Sequence, residues 1–248
     1  MDSETSFERF AKQYDEDMGD IGSYNHQHTI DPPLFDLIGN PKGLTVYDVA
    51  CGNGYIDRKL MKEGAKEIWA SDISNELIRL ATEKYEDLGI KFSTHPAEDF
   101  DGIPENYFDL VIIHMAIWYV DDVDTFLSNV HKILKPNGRF ILSIDHPMKW
   151  SLYKAIDAVP QSKVDEENEQ YLEAHKVKTF NQWLKIQDDL SVYYRPMGYY
   201  MNLCGKNNLL IKAIREPKSK MVRQDIPYES GIPMKMVIET VRTEPLNS

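Results

Sequence analysis

Cysteine is scarce in this chain: two in 248 residues, Cys51 and Cys204, with no C-x-x-C pair. That excludes a disulfide framework and a cysteine-rich zinc site, and suits a reducing compartment. No stretch approaches the roughly 18 apolar residues needed to cross a bilayer. The opening MDSETSFERF is acidic and polar, unlike a secretory leader, so a cytoplasmic location is expected. Basic residues are outnumbered, 28 against 40 acidic ones for a net charge of −12, and no dense Lys/Arg run occurs. Such a surface repels polyanions at long range, so neither nucleic acid nor an anionic membrane is expected as a partner. Internal repeats and low-complexity tracts are missing too. A 42 % hydrophobic and 11 % aromatic composition remains, enough for a sizeable core in one α/β domain with a decorated edge.

From about residue 44 to 145, short apolar runs alternate with helical patterns, which is how βα units on a parallel sheet read. Strands are expected at 44–50, 67–71, 90–94, 108–114 and 139–145. Between them lie a helix closed by Gly64, a second helix N-capped by Ser74, and a third that carries Val123, Phe126, Leu127, Val130, Ile133 and Leu134 on one face and stops at Pro136-Asn137-Gly138. Residues 148 to about 192 are rich in charge and aromatics with no clean strand, and read as an insertion over the top of the sheet. Two further strands, 209–216 and 233–242, complete a doubly wound, mostly parallel, seven-stranded α/β sheet. Four regions follow: an N-terminal helical cap (1–40), a core (41–148), a lid (149–198) after the fifth strand, and the completion of the sheet (199–248).

Within VYDVACGNGYID (46–57), a buried strand runs through Gly52, Asn53 and Gly54 into a helix. This geometry leaves backbone N–H groups free at the carboxyl edge of the sheet. Besides a tight turn with no ligand, two cofactors compete for it. A dinucleotide fingerprint requires a third glycine where this chain has Asp57, and a carboxylate facing a pyrophosphate is repelled. A nucleoside with a cationic tail meets no such penalty.

VYDVACGNGY resembles the first motif of class I S-adenosylmethionine (SAM)-dependent methyltransferases, with their Rossmann-like fold. The resemblance implies SAM as cofactor and S-adenosylhomocysteine (SAH) as product, with Asp48 at the amino-acid end and Ala50, Gly52, Asn53 and Gly54 lining the turn. Asp72, 24 residues after Asp48, would take the ribose hydroxyls, with Ile73 beside it. HPAEDF (95–100) resembles the segment around adenine, so Ala97 meets the ring and Glu98 or Asp99 the exocyclic amine. YFDLVIIHMAIWYVDD (107–122) places His114 and Met115 beneath the methionine moiety, and ILKPNGRFILSIDHPM (133–148) is close to the family's fifth-strand segment. AKQYD resembles the family's amphipathic N-terminal cap, with Tyr14 closing over SAM; Phe7, Phe10, Ala11 and Tyr14 at helical spacing also suit simple packing.

The family pattern [DNS]-P-P-[YFW] of enzymes acting on amino groups of bases or glutamine reads HMAIW here. The expectation is therefore methyl transfer to an oxygen or nitrogen of a small molecule. Substrate contacts are assigned to Tyr119, Trp150, Tyr194 and Arg195, either as an aromatic cage or as the lid's own core. His146, after the fifth strand and next to Asp145, is the candidate general base, or else fixes the loop into the insertion. Tyr24, His26 and His28 sit in a flexible-looking stretch, and His26-x-His28 lacks a third ligand, so no metal is expected. A methyltransferase-like binding protein without catalysis, and a nicotinamide-dependent oxidoreductase, are the alternatives.

Overall fold

The computed structural model describes residues 3–148, 174–178, 191–218 and 233–244. Helix α1 (Ser3–Met18) leads through a π-helical turn (His26–Ile30) directly into α2 (Asp31–Ile38). The stretch holding Tyr24, His26 and His28, read from sequence as flexible, is thus largely helical. Next come β1 (Thr45–Val49), α3 (Tyr55–Lys62), β2 (Glu67–Asp72), α4 (Asn75–Lys84), β3 (Lys91–Thr94), β4 (Phe108–His114), α5 (Val123–Ile133) and β5 (Leu134–Asp145). The chain continues with β6 (His175–Lys178), β7 (Ser191–Tyr194), α6 (Met197–Lys206), β8 (Leu209–Arg215) and β9 (Lys235–Arg242).

Seven strands form one sheet in the order β3-β2-β1-β4-β5-β9-β8. The first five are parallel and β9 alone runs antiparallel, to β5 and to β8. Parallel strands are buried on both faces, and β1 accordingly has no exposed position. Its side chains alternate between two layers. Val46, with Ile68, Leu110 and Ile112, packs against Leu34, Ile38, Ile56 and Leu60 of α2 and α3. Tyr47 and Val49, with Val111, Ile113 and Phe140, pack against Val123, Phe126, Val130 and Tyr200 of α5 and α6. The expected cap forms, with Ser74 Oγ accepting from Leu77 N at 3.2 Å, and Asp122 caps α5 in the same way, its Oδ1 accepting from Thr125 N at 3.0 Å. The strand order reverses between β1 and β4, and in open α/β sheets the crevice beyond the carboxyl ends at that switch point is where ligands bind.

Two sequence expectations are corrected. Helix α5 stops at Ile133, and β5 already begins at Leu134, which pairs with Phe108. Pro136 disfavours helix in the residue before it, and the register slip between the Leu134 and Arg139 pairings absorbs residues 135–138. The insertion also holds a short antiparallel pair, β6 with β7, where no strand was expected. Tyr-rich and Val-containing runs of four residues alternate well enough to pair, yet are too short to stand out in sequence.

Candidate functional site

The glycine turn is built from left-handed residues: Ala50 (φ 58°), Gly52 (59°) and Gly54 (74°). At Gly52 a side chain has no room, since an added Cβ would lie 3.0 Å from Cε1 and Oη of Tyr14. The Tyr14 ring of α1 therefore closes on the turn, and burial, followed by the charge of Asp72, pushes its phenol well above the usual range. Gly54, the N-cap of α3, faces Phe92 in the same way, with Cζ 2.9 Å from an added Cβ.

The end of β2 fastens this turn. Asp72 accepts hydrogen bonds from Gly52 N (2.9 Å) and Ser74 N (3.0 Å), while Cys51 N donates to Ser71 O at 2.9 Å. Burial nevertheless raises the Asp72 pKa, so desolvation outweighs these bonds. Asn53 ties α1 down by donating to Asp15 Oδ1 and Gly19 O, both at 2.9 Å. Half-buried Ile73 adjoins Asp72.

Beneath the turn lie two further acids. Asp48 on β1 is 1 % exposed and Asp57 on α3 is 0 % exposed, with their carboxyls in contact. None of their four oxygens accepts a hydrogen bond from another residue, and Asn53 Oδ1 is likewise unpartnered. The expectation that Asp57 faces an incoming pyrophosphate is corrected here, because the side chain points at β1. It occupies the position where a dinucleotide fingerprint needs glycine for close helix–strand packing.

Across the switch point, a hydrogen-bonded chain converges on His114. Met115 N (φ 54°) donates to Ser143 Oγ at 3.0 Å, and Ser143 Oγ bonds His114 Nδ1 at 2.7 Å. Tyr55 Oη donates its one hydrogen to Asp31, so Nδ1 of His114 accepts from Ser143 Oγ and the imidazole proton sits on Nε2. That nitrogen meets Tyr55 Oη at 3.2 Å and Asp31 Oδ1 at 3.5 Å, and Tyr55 in turn donates to Asp31 at 3.0 Å. The His26 ring stands 5.4 Å from that of His114, its Nδ1 2.7 Å from Ser23 Oγ, and burial plus His114 lowers its pKa to about 3.

The other expected contacts sit around this centre. Ala97 packs on the core, Glu98 accepts from Asp121 N at 2.7 Å, and exposed Asp99 accepts from Asp101 N at 2.9 Å. Tyr119 meets Phe7 edge-on at 5.0 Å, and burial raises its phenol to about 12. His146 is buried with both nitrogens engaged: Nε2 lies 2.8 Å from Glu216 Oε1, and Nδ1 accepts from Met148 N at 3.1 Å. In this form no lone pair is free for a substrate proton, so the ring fastens the loop after β5. Arg195 donates to the carbonyls of Val120 (2.7 Å), Asp121 (2.9 Å) and Ile117 (3.5 Å), and stacks 4.3 Å from the Tyr193 ring. It clasps β7 to the turn after β4, with Tyr194 buried beside it. Trp150 lies outside the described residues. No group of three metal-binding side chains occurs among the described residues.

Residues 47–142 match the family described as a methyltransferase domain. The Escherichia coli protein named ubiquinone/menaquinone biosynthesis C-methyltransferase UbiE is 31 % identical over 160 residues, which is 61 % of this chain and 62 % of UbiE. The domain belongs to the class I, Rossmann-like, SAM-dependent methyltransferases. The methyltransferase fold extends over most of the chain: a SAM-dependent methyltransferase structure from Mesorhizobium loti superposes with a TM-score of 0.70 at 24 % identity, covering 85 % of this chain and 96 % of that one. A shorter match, 34 % over 94 residues, joins 38 % of the chain to 26 % of the rat mitochondrial arginine-hydroxylase NDUFAF5. The chain thus spans less than two thirds of the length of either curated relative. SAM is the cofactor of this methyltransferase family, and the site suits it. Acidic oxygens without donors await a cationic amino acid, and the Asp72 carboxylate keeps acceptor capacity beyond its backbone bonds.

Sequence reasoning missed Asp31, Tyr55, Ser143 and His26. No local signal was available: setting FDLVIIH against RFILSID end to end would place His114 opposite Asp145, whereas the sheet is offset by two residues and pairs it with Ser143.

Proposed function

We propose that the protein transfers the methyl group of SAM to a nitrogen or oxygen of a small molecule, releasing SAH. One juxtaposition carries this reading. The acid-lined glycine turn and the Ser143–His114–Tyr55–Asp31 chain flank the same switch point, joined by α3, whose first residue is Tyr55. Bound SAM supplies a methyl group already activated by cationic sulfur, which leaves the protein to hold, align and exclude water. Asp72 and the glycine turn hold the nucleoside, and Tyr14 covers it. His114, its ring held by Ser143 and its tautomer set by Tyr55, aligns what lies across the crevice.

Proton removal is assigned to neither histidine first in view. His146 has both nitrogens engaged, and His26, with a pKa near 3, is a weak base at neutral pH. This favours an acceptor that presents a lone pair without prior deprotonation, such as a neutral amine or an ionised phenol. The acidic surface supports a small-molecule acceptor over a polyanion, and the two buried free cysteines support a cytoplasmic location. The test is label transfer from methyl-tritiated SAM into panels of amines and phenols, with SAH formed in equal amount. If SAH binds but no acceptor is labelled, binding without methyl transfer replaces this reading.

A further inference from the structure

We propose that Asp57 and Asp48 form a two-carboxyl seat beneath the glycine turn, which holds one shared proton when free and exchanges it for the ammonium of the bound cofactor. The inference rests on the SAM-site reading above and adds to it a residue, Asp57, outside the family's glycine motif.

The geometry leaves few alternatives. Both carboxyls are fully buried, and they touch. Two carboxylates in contact cannot both ionise without a cation, so one proton between them is the stable state of the free pair. Among the described residues, the electrostatic surroundings supply no cation. The acid acting on the pair from β2 is Asp72, and the neighbouring groups are the Cys51 thiol and the phenols of Tyr14, Tyr47 and Tyr55, all neutral near pH 7. With one proton shared, the remaining oxygens still lack donors. Asn53 Oδ1, a neutral amide oxygen that is 0 % exposed and also without a donor, adds an independent acceptor at the same turn. An ammonium group brings three N–H donors and a positive charge, which is what these atoms lack. On its arrival the shared proton leaves to solvent. The seat passes from one negative charge to two, and the ammonium offsets the second.

Calorimetry of SAH binding to the full chain, in two buffers of different ionisation enthalpy near pH 7, reads this directly. The expected result is release of about one proton per SAH bound. For Asp48→Asn/Asp57→Asn the release falls to near zero, because no carboxyl is left in the seat to hold the proton. Asp48→Asn/Asp57→Thr provides a second variant with the same expectation should the first fold poorly. Methylthioadenosine, which carries the nucleoside and sulfur without the amino acid, should bind with no proton release in either protein. SAH binding by the wild type with no proton release overturns the seat while leaving the SAM site intact. Equal release by wild type and both variants assigns the proton to another group and also overturns it. No SAH binding by the folded wild type removes the SAM reading and the seat together.

Discussion

Asp72→Ala separates the role that the structure gives this carboxylate, holding the glycine turn, from the role proposed for it, holding the ribose. Without ligand, Asp72 accepts from the buried amides of Gly52 and Ser74. Truncation leaves both N–H groups without an acceptor, at about 1–3 kcal/mol each. Against this, the substitution relieves the burial cost that raises the Asp72 pKa. The two effects oppose, so the net loss of stability should be modest, about 2 kcal/mol. On the proposed reading the same carboxylate also takes the ribose hydroxyls of the bound cofactor, and hydrogen bonds to a charged group contribute about 1.5–3 kcal/mol each. Losing two such bonds weakens SAH by a hundredfold or more, at about 1.4 kcal/mol per tenfold. Affinity should therefore fall further than stability. Urea denaturation gives the first quantity and calorimetry with SAH the second. A variant whose midpoint falls while its SAH affinity stays within about threefold of wild type would show that Asp72 organises the turn and does not hold the ribose.

The buried acids also set a pH dependence. Asp48 and Asp57 have folded pKa values above the unfolded carboxyl range near 4. The folded state therefore binds more protons than the unfolded one, and this contribution to stability declines as pH rises above about 4. Melting temperature against pH should show that decline, and Asp57→Asn should reduce it. His26 acts with the opposite sign: its folded pKa of about 3 lies below the unfolded value, so stability is lost as pH falls through about 6.5 towards 3. Its ring signals should stay those of a neutral imidazole from neutral pH down to about 5 by NMR, and titration near 6.5 would contradict the burial argument. Arg195→Met removes the donors to three carbonyls and should cost about 2 kcal/mol, with faster amide exchange in β7. Gly54→Ala forces a side chain into left-handed backbone against Phe92; a loss of about 1–2 kcal/mol from the backbone alone is expected by thermal denaturation.

The core was legible because buried parallel strands read as apolar runs bounded by glycine and proline. β1, β2 and β4 fall within a residue of the expected 44–50, 67–71 and 108–114. The start of β5 was not, since Pro136-Asn137-Gly138 reads as the end of a helix that had already stopped at Ile133. At the site, what lies in one local motif was readable: the glycine turn and Asp72 one strand later. The His114 chain draws on positions 31, 55, 114 and 143, and only sheet register and the path of α2 bring those together. Sequence showed Asp57 as a carboxylate in a turn. Only the packing of α3 on β1 shows that it faces another acid.

That packing alters the case against a dinucleotide. Asp57 does not meet a pyrophosphate directly, yet the turn stays hostile to one through Asp72, whose carboxylate bonds Gly52 N, one of the turn amides a phosphate would seek. At an effective dielectric near 20, one pair of like charges about 4 Å apart costs about 4 kcal/mol, and a pyrophosphate carries two. The shared proton leaves Asp48 and Asp57 with one further negative charge below. A cation gains from these same charges. NADH should therefore fail to compete with SAH at concentrations a hundredfold above the SAH dissociation constant. Displacement of SAH by NADH in an equilibrium competition would mean that the acids do not set the ligand's sign, and the oxidoreductase reading would return.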